Sequence, residues 1–173
     1  LDLRTIPSAV GGDQSKRHGI ILTKSIPAKK YHIKTGEPIV DARRKCPELV
    51  IVPPNYTLYS HASRAMIEIL QEYTDTIEKY SIDEAFLDMT GTTNALSDRI
   101  RAFDAIRLPA AIDATWQSEV EHRAVLLAWQ LKERIREELG FTVNIGISSN
   151  KLLAKMASDF QKPDQVHTLW PSE

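Results

Sequence analysis

Apolar positions return at helical spacing twice along this chain of 173 residues. Across residues 60–79 they are Ala62, Met66, Ile69, Leu70, Tyr73 and Ile77, which predicts a helix with one apolar face. Across residues 115–139 the stripe is Trp116, Val120, Ala124, Leu127, Leu131, Ile135 and Leu139, and Gly140 supplies the stop. Between these helices, residues 77–82 and 85–90 read as short strands on either side of Asp83-Glu84. Residues 141–148 alternate as a strand. Ser149 or Asn150 caps a third helix that runs through Phe160, Pro163 ends it, and residues 166–170 make a last strand. Residues 92–114 have no clear period, although 98–106 have helical character before Pro109 interrupts.

The first third of the chain has another texture. Residues 1–55 contain Pro7, Pro27, Pro38, Pro47 and Pro53, with four of the seven glycines, and their apolar runs are short. That predicts a small, turn-rich lobe, which Pro53-Pro54 brings to an end. Helix, hairpin, helix, strand, helix and strand then follow. Helices gathered on one face of an antiparallel or mixed sheet make an α+β layer. The other face of the sheet, carrying Asp83-Glu84, is left free for chemistry. A further strand ahead of residue 1 is expected to complete the sheet.

Composition narrows the class. Apolar residues at 42% and charged residues at 26% exclude disorder and fibrous repeats. No apolar run approaches the roughly 18 residues of a membrane helix. The opening residues lack a signal-peptide core, and the single cysteine, Cys46, has no internal partner. The expectation is a cytoplasmic protein with no membrane association. Net charge is −1, but it is unevenly spread: residues 1–55 hold ten Lys and Arg against five Asp and Glu, and the remainder hold twelve against eighteen. A basic first lobe suits a surface facing phosphates, or one whose lysines merely solvate a loop-rich segment.

Asp83-Glu84 is the main candidate for chemistry. Adjacent carboxylates in an apolar strand context are costly to bury unless paired or bound to a cation. A bend between the two strands lets both reach one ion, and hard oxygens suit Mg²⁺. Asp88 lies on the same hairpin. The competing reading is a solvated turn. Lys24, Lys29, Lys30 and Lys34 cluster in the first lobe; Lys151 and Lys155 share a helical face, and Lys162 is fixed by Pro163. These are phosphate contacts or a wet face. The five histidines lack zinc spacing, and there is neither a nucleophile elbow nor a phosphate-binding loop. Cys46, between Lys45 and Pro47, reads as a small buried hydrophobe.

The strings Tyr80-Ser81-Ile82-Asp83-Glu84-Ala85-Phe86-Leu87-Asp88 and Gly146-Ile147-Ser148-Ser149-Asn150-Lys151-Leu152-Leu153-Ala154-Lys155 closely resemble two signature segments of the Y-family translesion DNA polymerases. Ala157-Ser158-Asp159-Phe160-Gln161-Lys162-Pro163 resembles a third. Ala9-Val10-Gly11-Gly12, the run 19–33, Thr35-Gly36-Glu37-Pro38 and Cys46-Pro47 match at the front, and the wording is closest to the bacterial UmuC/DinB-type branch.

The resemblance implies a fingers subdomain over residues 1–55 and a palm over 56–173. It implies that Asp83 and Glu84 hold two Mg²⁺ ions in the intact enzyme. Thr23, Lys29 and Lys162 would touch the triphosphate, and Thr35-Gly36 would lie against the replicating base pair. The partners implied are a dNTP, damaged primer-template DNA and, through a region beyond this chain, a sliding clamp, in an SOS or DNA-repair setting. Departures are Ile26-Pro27-Ala28-Lys29 where the family has Tyr-x-x-Arg, and His32 where a glycine is expected. The first palm strand with its third carboxylate, the thumb and the little finger would all lie outside this chain. The expectation is therefore an inactive fingers–palm fragment. The alternatives are a polymerase relative kept as a non-catalytic DNA-binding or interaction module, or a palm-like nucleotidyl cyclase.

Overall fold

A computed structural model describes residues 2–12, 19–92 and 118–171. The helical character expected over 98–106 and the stripe position Trp116 lie outside the described residues. The chain divides into two units, Leu1–Thr57 and Leu58–Glu173, each with its own core.

In the first unit, β1 (Ser8–Gly11) pairs antiparallel with β2 (Ile21–Lys24) and parallel with β3 (Val50–Val52), in the order β2-β1-β3. A parallel pair needs a crossover, and α1 (Ile26–Lys29) and α2 (Ile39–Lys45) lie on it. Ser25 starts α1: its hydroxyl accepts from the N–H groups of Ala28 (3.3 Å) and Ser8 (3.1 Å) and donates to the Ile6 carbonyl (2.8 Å). Ala9, Ile21, Ala28, Ile33, Ile39, Ala42, Cys46 and Leu49 form the core. Cys46 is fully buried, as its reading as a small hydrophobe requires, and burial pushes its thiol up from its ordinary value.

The second unit holds α3 (whose first residues, within Tyr56–Gln71, belong to the first unit), β4 (Ile77–Lys79), β5 (Ala85–Leu87), α4 (Glu119–Leu139), β6 (Ile145–Ile147), α5 (Lys151–Ser158) and β7 (Val166–Thr168). The class is α+β. Met66, Ile69 and Leu70 from α3, with Tyr73, pack against Leu126, Leu127, Leu131 and Ile135 from α4. Ile77, Ala85, Leu87 and Ile145 close over them from the strands. β4 and β5 form an antiparallel hairpin, and β6 and β7 a parallel pair joined through α5. Among the described residues no ladder joins the two pairs into one sheet.

Several bounds differ from the sequence expectation, for identifiable reasons. α3 starts at Tyr56 and stops at Gln71, whereas the helical period continued to residue 79. Tyr73 and Ile77 keep that period because they enter the same core from a turn and from β4. Val120 is exposed; the buried part of α4 begins at Val125, where four successive residues, Val125 to Ala128, are covered. β6 is confined to three residues, Ile145–Ile147, and the side chain of Asn144 just before it is turned to the following loop. Its amide donates to the carbonyls of Ser158 and Gln161 (both 3.3 Å), and its carbonyl accepts from Gln165 N–H (3.0 Å). The helix stops agree better. Gly140 closes α4 at φ 74°, its N–H donating to the Arg136 carbonyl (3.0 Å), and Asn150 caps α5 by accepting from Leu153 N–H (3.0 Å).

Gly146, in the middle of β6, lies directly on the backbone of α5. A Cβ there would overlap the Ala154 carbonyl oxygen and come within 2.5 Å of the Ser158 nitrogen. Neither is the end of a flexible side chain, so the helix itself would have to move. Gly146→Ala is therefore expected to destabilise the chain by about 3 kcal/mol or more, measured by urea denaturation. A loss below about 1 kcal/mol would show that β6 and α5 are not held this closely.

Candidate active site

The β4–β5 hairpin turns at Tyr80–Glu84. Tyr80 and Ser81 both donate their N–H groups to the Glu84 carbonyl, at 3.0 and 3.1 Å. This bend puts the neighbouring carboxylates at one tip. Asp83 is exposed, and its Oδ1 accepts the Ser81 hydroxyl at 2.7 Å. Glu84 is half-buried, and its Oε1 takes the Lys155 ammonium at 2.6 Å. Ala85 and Leu87 pack into the core, while the Phe86 ring meets Tyr80 edge-on at 5.8 Å. Asp88 is used at the other end of the hairpin. Its carboxylate accepts Thr90 N–H at 2.9 Å, hydrogen bonding from the Thr90 side chain and then from this N–H lowers its pKa, and its carbonyl accepts the Thr74 hydroxyl.

The cations after β6 meet this tip. Lys151 ion-pairs with Glu78 on β4, and its Nζ lies 5.8 Å from the Phe86 ring centre. One turn later, Lys155 holds Glu84 and also approaches Asp159 at 3.4 Å; Asp159 in turn takes Lys162 at 2.6 Å. Glu84, Lys155, Asp159 and Lys162 thus form one continuous row of alternating charge. The hydrogen bond to Glu84 raises the Lys155 pKa. The hydrogen bond from Lys162, together with the charge of Lys155, lowers that of Asp159. Sequence reasoning passed over Asp159, although its spacing, four residues after Lys155 and three before Lys162, carries the signal.

The candidates of the first unit are placed as follows. Thr23 is exposed on β2, opposite Val10, and Lys29 is exposed at the end of α1 with no ion pair among the described residues. Thr35 Oγ1 accepts from Lys24 at 3.4 Å. Gly36 has φ 84° with open space where a Cβ would stand, so the turn conformation, not crowding within this chain, calls for glycine. His32, where a glycine was expected, has φ 56°, a left-handed conformation that histidine tolerates better than most residues. Ile26 is exposed.

Among the described residues no three His, Cys, Asp or Glu side chains converge into a closed metal cage. Asp83 and Glu84 still fit Mg²⁺, which is commonly held by one or two carboxylates while water and substrate phosphates complete its shell. The counter-ion already drawn to Glu84 is a sign of the negative field there.

The profile of the impB/mucB/samB family matches residues 1–159. The chain belongs to this family. DNA polymerase IV of Clostridium acetobutylicum is 44% identical over 173 residues, all of this chain and 37% of that protein. A solved Y-family DNA polymerase chimera of Dbh and Dpo4 superposes with a TM-score of 0.76 at 28% identity, covering 99% of this chain and 43% of the chimera. An insertion ternary complex of Dbh DNA polymerase gives 0.73 at 28% identity, covering 96% of this chain and 42% of that one. The family member thus spans little more than a third of the curated relative, and within that span its fold matches that of Y-family DNA polymerases.

The row of charges sets a pH window. Asp159 titrates below its ordinary 3.8, so its pairing is complete above that value and is lost only as the pH falls through the lower, folded one. Lys155 stays charged until the pH rises past its ordinary 10.5. The ¹³C carboxyl shift of Asp159 should therefore be flat from pH 9 to about 5. A midpoint at or above 3.8 would contradict the pairing.

Proposed function

We propose that this chain is the fingers and palm of a DNA-directed DNA polymerase that copies damaged templates, with residues 1–55 as fingers and 56–173 as palm. The observation that carries the reading is the row from the acidic hairpin tip to Lys162. It sets two carboxylates and a lysine exposed near its end on one unit, an arrangement suited to metal-bound triphosphate.

Asp83 and Glu84 would hold the Mg²⁺ ions. When bound, the ions would favour the primer 3′-oxygen as nucleophile and offset charge on the leaving pyrophosphate. The protein's own share is positioning and charge. Ser81 fixes one oxygen of Asp83 and leaves the other free. Lys155 holds and orients the Glu84 carboxylate. Lys162, held at an exposed pair with Asp159, can exchange that carboxylate for β- and γ-phosphate oxygens. Thr23 and Lys29 are proposed as the fingers' triphosphate contacts, and Thr35-Gly36 as the surface against the base pair. Lys29 offers a point charge where an arginine would offer a fork. Primer-template DNA, held mostly through its backbone, would bind in a salt-sensitive way. A sliding clamp would be engaged through segments other than this one, and the setting would be cytoplasmic DNA repair under the SOS response.

In the longer polymerase proposed to contain this chain, Asp83→Ala should reduce single-nucleotide incorporation by at least about 1000-fold, the scale of removing one preorganised electrostatic group. Primer-template affinity by fluorescence anisotropy should change less than about twofold. Normal turnover would reject the carboxylate assignment, and DNA binding without incorporation by the unaltered protein would favour the non-catalytic module.

Lys162→Met keeps the packing of the stem and removes the cation. It should lower kcat/KM for the nucleotide by a factor of about 10–100, the worth of a charged hydrogen bond, with DNA affinity unchanged. A fall in DNA affinity with normal nucleotide kinetics would make Lys162 a DNA-backbone contact instead.

A further inference from the structure

Among the described residues, Lys132 on α4 is the one charged side chain buried with the core, at 1% exposed. It lies three residues after Trp129 on this helix, and its Nζ stands 4.3 Å from the Trp129 ring centre. A cation so far from water must be compensated. Two carboxylates do this: Glu133 at 2.7 Å and Asp164 at 2.9 Å. Glu133 belongs to the same helix. Asp164 is 32 residues away, in the loop between α5 and β7, two positions after Lys162. Arg136 adds a weaker contact to the other Asp164 oxygen at 3.7 Å.

Residues 159–163 of that loop are exposed. Among the described residues, Lys162 itself is anchored by its exposed pair with Asp159 alone. Asp164 adopts φ 60°, a conformation unfavourable for most side chains, and its carboxylate faces α4. The Asn144 side chain secures the loop at Gln161 and Gln165, on either side of Lys162 and Asp164. The buried pair therefore ties a short loop to a helix of 21 residues, close to the lysine that the proposed function assigns to the triphosphate.

We propose that Lys132 is a positioning residue for nucleotide binding: through Asp164 it fixes the loop that presents Lys162. The proposal rests on the reading of Lys162 as a phosphate contact. It differs from a purely structural role, because the effect should vanish when Lys162 is no longer there to be positioned.

The test is a double-mutant cycle in the longer polymerase, with Lys132→Met, Lys162→Met and the pair, read as nucleotide KM and kcat and as primer-template affinity. Lys132→Met should raise nucleotide KM roughly threefold to thirtyfold in the presence of Lys162, and less than about twofold in the Lys162→Met background. DNA affinity should not move. Asp164→Asn keeps the size and the left-handed preference of the residue while removing its charge, and it should reproduce the KM effect should Lys132→Met fail to fold. Equal effects of Lys132→Met in both backgrounds would overturn the proposal. So would a folded Lys132→Met or Asp164→Asn with unchanged KM while Lys162→Met raises it. An unchanged kcat/KM for the nucleotide in Lys162→Met alone would instead reject the phosphate reading of Lys162, and the positioning role would fall with it.

Discussion

A strand can lie against the backbone of a helix only where it has no side chain in between, and in the second unit that place is Gly146. The ion pairs that join α5 to the hairpin hang from this contact. With β6 seated on α5, the lysines one turn apart on that helix, Lys151 and Lys155, reach Glu78 and Glu84 on the hairpin. A displaced helix would carry both ammonium groups away from their carboxylates. The carbonyl of Ser158, at the end of the same helix, is also one of the points to which Asn144 fastens the following loop. Steric permission at one residue thus precedes the electrostatics of several others.

Those electrostatics are local and mutual. The hairpin tip concentrates negative charge, and the row through Lys155, Asp159 and Lys162 disperses it along the surface by alternation of sign. Each pair is partly exposed, so each is weak by itself. Their collective value lies in orientation: Glu84 is held from one side and Asp83 from another, by different partners. Adjacent strand residues would ordinarily face opposite ways, and the closed turn at Tyr80–Glu84 removes that restriction.

Much of this was legible in the sequence, where local chemistry decides the outcome. Gly140 as a stop, Asn150 as a cap and Asp83-Glu84 at a bend depend on the residue and its immediate neighbours. What escaped depends on the third dimension. The helical period through Tyr73 and Ile77 is real, but it reports a shared core and not a shared helix. Val120 has the right phase for burial, yet it is exposed. Lys132 stands four residues after Ala128 and seven after Val125, on the buried side of α4, and a cation in that register asks for an acid. No spacing rule could name Asp164 as that acid, since the two meet only through the path of the chain. The roles assigned to Thr23 and Lys29 remain readings of resemblance, because each is an exposed side chain with little around it to argue from.

The fate of Cys46 has a practical side. It is the only thiol in the sequence, it is fully enclosed, and burial disfavours the thiolate that reacts with maleimides and iodoacetamides. The unaltered protein should therefore be nearly silent toward such reagents under native conditions. A cysteine placed at exposed Ile82, beside the acidic tip, would take up a spin label or fluorophore against almost no background. The chain comes already prepared for spectroscopy that follows its hairpin and tests the proposed binding of ions and nucleotides there.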